Sequence, residues 1–81
     1  MHPQKVVTTN YVSTPGNNYV FVKNQDGTYD QFIVLAFNQT PDYLELHVDN
    51  FPVVRKRRVD EMELLEAKVQ VQKKRCVLNF L

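Results

Sequence analysis

The residues of this 81-residue chain best suited to chemistry with a partner are two runs of cations, Arg55-Lys56-Arg57-Arg58 and Lys73-Lys74-Arg75. Together they hold seven of the ten lysines and arginines. Guanidinium and ammonium groups set side by side neutralise neighbouring phosphates, and the counterions released drive salt-sensitive, sequence-tolerant binding to nucleic acid. Tyr29, Tyr43 and Phe51 are the aromatic candidates for stacking on bases or for engaging a protein partner. Residues 1–50 carry two cations against five acids and residues 51–81 carry eight against four, so a net charge of +1 conceals halves of −3 and +4. A dipolar surface with a local basic patch follows, provided the fold keeps the two sets apart.

Other chemistries find little support. His2, His47 and Cys76 are the only soft metal ligands and match no ligand spacing, so neither metal nor cofactor is expected. Gly16 and Gly27 are the only glycines, too few for a phosphate-cradling loop. Asp26, Asp30, Asp42 and Asp49 sit in or beside turns, where aspartate is favoured for its local hydrogen bonds. No spacing pairs two of them for acid–base work, so an enzyme is not expected. Cys76 lies beside Val77 and Leu78 and reads as a buried, inert thiol. As the lone cysteine it forms no intrachain disulfide, which suits a reducing compartment. With 43% hydrophobic and 23% charged residues the composition is that of a soluble domain, and no run approaches the ~18 apolar residues of a membrane span. The opening MHPQKVVTTN is too polar for a secretory signal. The expected location is the cytoplasm, or the nucleus of a eukaryotic source, where the Arg55–Arg58 run would also read as an import signal.

The elements that must position these groups read as strands. Residues 19–37, YVFVKNQDGTYDQFIVLAF, form two β-branched and aromatic runs around Asp26-Gly27, a hairpin in which Gly27 supplies the positive φ. Before it, Ser13 to Asn18 is a dense turn cluster, leaving residues 5–12 as an extra strand or an arm. Residues 32–37 are continuously apolar, as in a strand with both faces partly covered in a bent sheet or barrel. Residues 38–42 break the pattern, and residues 43–48 resume it with Leu44, Leu46 and Val48 pointing inward and Tyr43, Glu45 and His47 outward. Asp49-Asn50-Phe51-Pro52 is a further turn, and residues 53–59 read as a strand. Asp60 with Glu63 three residues on is a capping box, opening a short helix that carries Met62, Leu65 and Val69 on one face. In the last segment Cys76, Leu78 and Phe80 share one parity, with a bulge or turn near Lys73 to Arg75. Regular alternation would send Arg55 and Arg57 to one face of their strand and Lys56 and Arg58 to the other, which only a short, twisted or edge strand keeps solvated. A solvated edge balanced by Asp60, Glu61, Glu63 and Glu66 is the competing explanation of the basic run.

This order predicts one mainly β domain over residues 1–81, a small SH3-like barrel of about five strands with one short helix. Over residues 24–65, the pieces NQDGTYDQFIVLAF, YLELHVDNFP and RVDEMELL resemble the Tudor-type subgroup of such barrels. The resemblance implies a binding module, and in that family an aromatic cage that holds methylated lysine or arginine. Phe51 matches one cage position and Tyr29 lies one residue from another, which Asp30 occupies. Lys23 and Val48 stand at the remaining two, and a lysine there repels a cationic ligand.

Two functional readings follow. One is a non-catalytic module that binds nucleic acid through Arg55, Lys56, Arg57, Arg58, Lys73, Lys74 and Arg75. The other is a protein-interaction or homo-oligomerisation module that uses Tyr29, Tyr43, Phe51 and a sheet edge. No membrane partner is expected.

Overall fold

Valine, isoleucine, leucine, tyrosine and phenylalanine fill the strand-forming segments because branched and flat side chains fit a pleated, half-buried surface. A computed structural model describes residues 4–14, 16, 18–58 and 75–81. Its strands are β1 (Gln4–Thr8), β2 (Tyr11–Ser13), β3 (Tyr19–Lys23), β4 (Tyr29–Gln39), β5 (Tyr43–Val48), β6 (Val54–Arg57) and β7 (Arg75–Phe80). The chain is mainly β, with seven strands among the described residues where about five were expected, because the N-terminal segment forms β1 and β2. Among the described residues there is no α-helix. The segment expected to be helical, from Asp60 through Val69, lies outside them, as do Val59, Lys73 and Lys74.

Strand order is β1-β7-β5-β4-β3-β2, with β6 also paired to β4. Every ladder is antiparallel except β5 with β7, which runs parallel. β1 and β2 end this order, yet only Thr9 and Asn10 separate them in the chain. A two-residue link has a short reach, so the ends of the sheet lie close together and the sheet must bend back on itself. β1 pairs with β7 and β2 with β3, and no ladder joins β1 to β2 to close the ring.

The Asp26-Gly27 turn joins β3 to β4 as expected. Gly27 has a φ of 88°, the Asn24 N–H donates to the Thr28 carbonyl at 2.6 Å, and the Gly27 N–H donates to Asn24 at 3.1 Å. Between β4 and β5, the Thr40 hydroxyl accepts the Tyr43 N–H at 2.9 Å and donates to the Tyr43 carbonyl at 2.8 Å. Between β5 and β6, the Asp49 carboxylate accepts the Phe51 N–H at 3.3 Å, as an aspartate-initiated turn requires.

One core gathers Tyr11, Val20, Phe32, Leu44, Leu46, Val48, Cys76 and Leu78, with Val6, Val22, Val34 and Phe80 packed against it. The inward parity expected for β5 and for Cys76 and Leu78 is therefore realised, and Phe32 and Phe80 meet edge to face at 5.4 Å. A second, smaller cluster of Val12, Phe21 and Tyr29 is also buried. Cross-strand pairing sets Phe21 opposite Val12 and Gln31.

The apolar run at residues 32–37 is covered in part, as expected, and the cover is lost toward its end. Phe32 is buried, but Leu35 is 57% and Phe37 54% exposed. Between Val34 and Ala36 the register against β5 gains a residue on β4, so Leu35 sits in a bulge. β3 reaches along β4 only to Ile33, opposite Tyr19.

Burial pushes the Cys76 thiol up to about 12, and burial followed by the nearby Cys76 pushes Tyr11 up to about 12. Both groups are neutral in the folded state and ionise more easily when unfolded. Their contribution to stability is complete below the unfolded values of 9.0 and 10.0, and is lost as pH rises toward about 12. Urea midpoints measured across that alkaline range are expected to fall steadily. Cys76→Ala is expected to make the first part of the fall shallower, with a pH-independent loss of about 1–2 kcal/mol for the vacated volume. A slope identical to that of the parent chain would refute this assignment.

Candidate functional site

The Arg55–Arg58 run is built onto the β3–β4 hairpin by a bulge. Tyr29 pairs with Arg57 and Gln31 with Val54, so two steps along β4 match three along β6. Lys56 takes up the surplus with a φ of 56°, the left-handed region that a side chain enters at a cost of about 1–2 kcal/mol. It is the one non-glycine residue with positive φ among the described residues.

The hairpin holds that conformation. Asp30 Oδ1 accepts the Lys56 N–H at 2.9 Å and the Asn24 side-chain amide at 3.2 Å. Asp26 Oδ2 accepts from Lys56 Nζ at 3.2 Å, while Asp26 Oδ1 accepts the N–H and the hydroxyl of Thr28. Those bonds from Thr28, followed by the Lys56 ammonium, hold the Asp26 carboxyl down at about 2. Asp26 therefore stays ionised across the neutral range. The same aspartate that shapes the turn also tethers the basic segment.

The bulge overturns simple alternation. Instead of two cations on each face, Arg55, Lys56 and Arg58 are exposed, and only Arg57 is half-buried. The Arg57 guanidinium lies 5.6 Å from the centre of the Phe21 ring, and its Nη1 donates to Gln31 Oε1 at 3.2 Å. Arg57 is thus a cover over the Val12, Phe21 and Tyr29 cluster, attracted by the ring's negative face. Of the three outward cations, Lys56 is the one shown held by the Asp26 carboxylate.

The two basic runs do not meet at Arg75. Arg75 opens β7 opposite Tyr43, beside the end of β4 near Gln39, whereas β6 lies against the beginning of β4 at Tyr29 and Gln31. Strand rise puts that separation at roughly 30 Å along β4, shortened somewhat by its bend.

The aromatic candidates separate as well. Phe51 is 66% exposed in the turn before β6, close in sequence to the exposed Val53 and Val54. Tyr29 is only 8% exposed, contrary to its expected surface role, because regular alternation along β4 puts it on the face of Gln31, opposite Phe21, in the second cluster. Tyr43 is half-buried at the start of β5. Tyr29 and Phe51 therefore form no open aromatic cage, and Asp30 at the neighbouring cage position is committed to Lys56. On the outer face of β5, His47 Nε2 lies 3.0 Å from Glu45 Oε1. Among the described residues no group of three or more His, Cys, Asp or Glu side chains could hold a metal.

Asp30, Asn24 and Gln31 organise this site without having been legible as site residues. Asp30 and Gln31 each act on a residue 26 positions away, and no local pattern announces that. Comparison with known proteins finds no match among family models, curated proteins or solved structures.

The left-handed Lys56 gives a direct test. Lys56→Gly removes the Cβ strain and a surface ion pair of small worth, at some cost in chain entropy, so stability is expected to change by less than about 1 kcal/mol. Lys56→Val is expected to lose about 2 kcal/mol or more, because a branched side chain is least tolerated there. Equal thermal melts for the two variants would contradict the bulge geometry.

Proposed function

We propose that this chain is a non-catalytic binding module, a small barrel of the SH3-like, Tudor-like kind, that grips the phosphate backbone of nucleic acid through β6 and the turn before it. The observation that carries this reading is the Lys56 bulge. It brings Arg55, Lys56 and Arg58 to the surface together, where a regular strand would divide them. Exposed Phe51 precedes them on the same connection and offers a face on which an unpaired base can stack.

The proposed footprint is smaller than the full set of seven cations. Arg57 serves the Phe21 contact, and Arg75 belongs to the far end of β4. A grip through so few phosphates is weak, with a modest salt slope, and it favours single strands, which can present both phosphates and bases to one short segment. Recognition of methylated lysine or arginine is not part of the proposal, since Asp30, Lys23 and Val48 leave too few cage walls.

Fluorescence anisotropy with short single- and double-stranded oligonucleotides at several salt concentrations tests this reading. Binding is expected at low salt. Arg55→Gln combined with Arg58→Gln is expected to weaken it and to reduce the slope of log affinity against log salt by about 1 to 1.5 for a single strand. Arg57→Gln is expected instead to lower stability by about 1 kcal/mol through the lost ring contact and hydrogen bond. No binding at low salt, or an unchanged salt slope in the double variant, would overturn the proposal.

A further inference from the structure

Among the described residues, the strand edge with the least cover lies away from Arg55–Arg58, on the second half of β4. β3 pairs with β4 only through Ile33, and the last bond on that side runs from the Val34 N–H to the Asn18 carbonyl at 2.9 Å. Among the described residues no strand continues along that side of β4 through Leu35–Gln39. The opposite side of this stretch is occupied by β5. Leu35 and Phe37 are both more than half exposed, and Tyr19 is exposed at the neighbouring end of β3.

Proteins usually guard such an edge with lysine, proline or an inward charge. Here residues 31–40, QFIVLAFNQT, contain none of these. The open stretch ends instead at the Leu35 bulge on one side and at Pro41 on the other. We propose that this edge is a self-association surface, on which β4 of one chain pairs antiparallel with β4 of a second copy about a two-fold axis near Phe37.

Charge selects a second copy over an unrelated strand. In a two-fold pair centred at Phe37, that residue faces its own copy, Ala36 faces Asn38 and Leu35 faces Gln39. A charged edge would repel itself in this arrangement, whereas an uncharged one brings together an aromatic pair and neutral neighbours. A foreign acidic or basic strand finds no opposite charge on the stretch to select it. The contact uses the same patch on both copies and so closes at two, and the bulge and Pro41 keep it short. A contact of this length predicts a weak, concentration-dependent dimer. β6 lies on the other side of β4, at its beginning, and stays uncovered.

Sedimentation equilibrium of the full chain over a range of concentrations is the test. The weight-average mass is expected to rise from the 9.5 kDa of one chain toward twice that value. Phe37→Lys and Phe37→Glu are each expected to stay at one chain, and their equimolar mixture to recover the dimer. Because Phe37 is exposed, both should keep the parent's circular dichroism. As an independent readout, Phe37→Cys is expected to cross-link into a covalent dimer under mild oxidation, since the two copies meet at that position. Phe51→Cys, equally exposed elsewhere, should cross-link far less. A monomer at every concentration, a dimer unaffected by either charge, a mixture that stays monomeric, or equal cross-linking at the two cysteines would each overturn the proposal. The inference stands apart from phosphate binding, because these variants leave Arg55 and Arg58 in place.

Discussion

β4 is longer than any one neighbour, and the need to satisfy its backbone shapes the rest of the fold. Peptide groups removed from water must find partners, so an eleven-residue strand has to be shared among several shorter ones. β3 takes one side of its first half, β6 the other side of that half, and β5 the same side further along. Chains arriving from different directions do not meet one strand in a single register. Each misfit is absorbed as a bulge, one at Leu35 against β5 and one at Lys56 against β6. What no described strand covers is the open edge along Leu35–Gln39.

The two bulges have opposite consequences for chemistry. At Lys56 the surplus residue regroups cations that alternation would separate, and the Asp26-Gly27 hairpin supplies both carboxylates that hold it. At Leu35 the surplus residue and the early end of β3 leave apolar side chains in water. The basic segment and the apolar edge thus sit at opposite ends and on opposite sides of one strand. A partner bound at either leaves the other accessible.

Stability rests on a different set of residues. Leu44, Leu46, Val48, Cys76 and Leu78 are fully enclosed where β5 runs between β4 and the parallel β7. Burying apolar side chains of this size contributes roughly 1.5–3 kcal/mol each, more than any exposed ion pair. Arg57 belongs with this set, since its guanidinium covers Phe21. The surface around β6 can therefore vary in charge with little cost to the fold.

Local physics made much of this legible from the residues alone. The Asp26-Gly27 turn, the inward parity of Leu44, Leu46 and Val48, the turn at Asp49 and the burial of Cys76 all depend on near neighbours or on period-two alternation. The chain by itself thus determined a mainly β protein, its hairpin, and two runs of cations. The tertiary structure alone decided where Tyr29 points, which of the four cations Arg55–Arg58 faces inward, how far Arg75 lies from them, and which edge no described strand covers. Each of those depends on register between segments distant in sequence, and one inserted residue reverses the face of every side chain beyond it. Nothing in the neighbourhood of Lys56 indicates that Asp30, 26 positions earlier, holds its N–H and so creates that insertion.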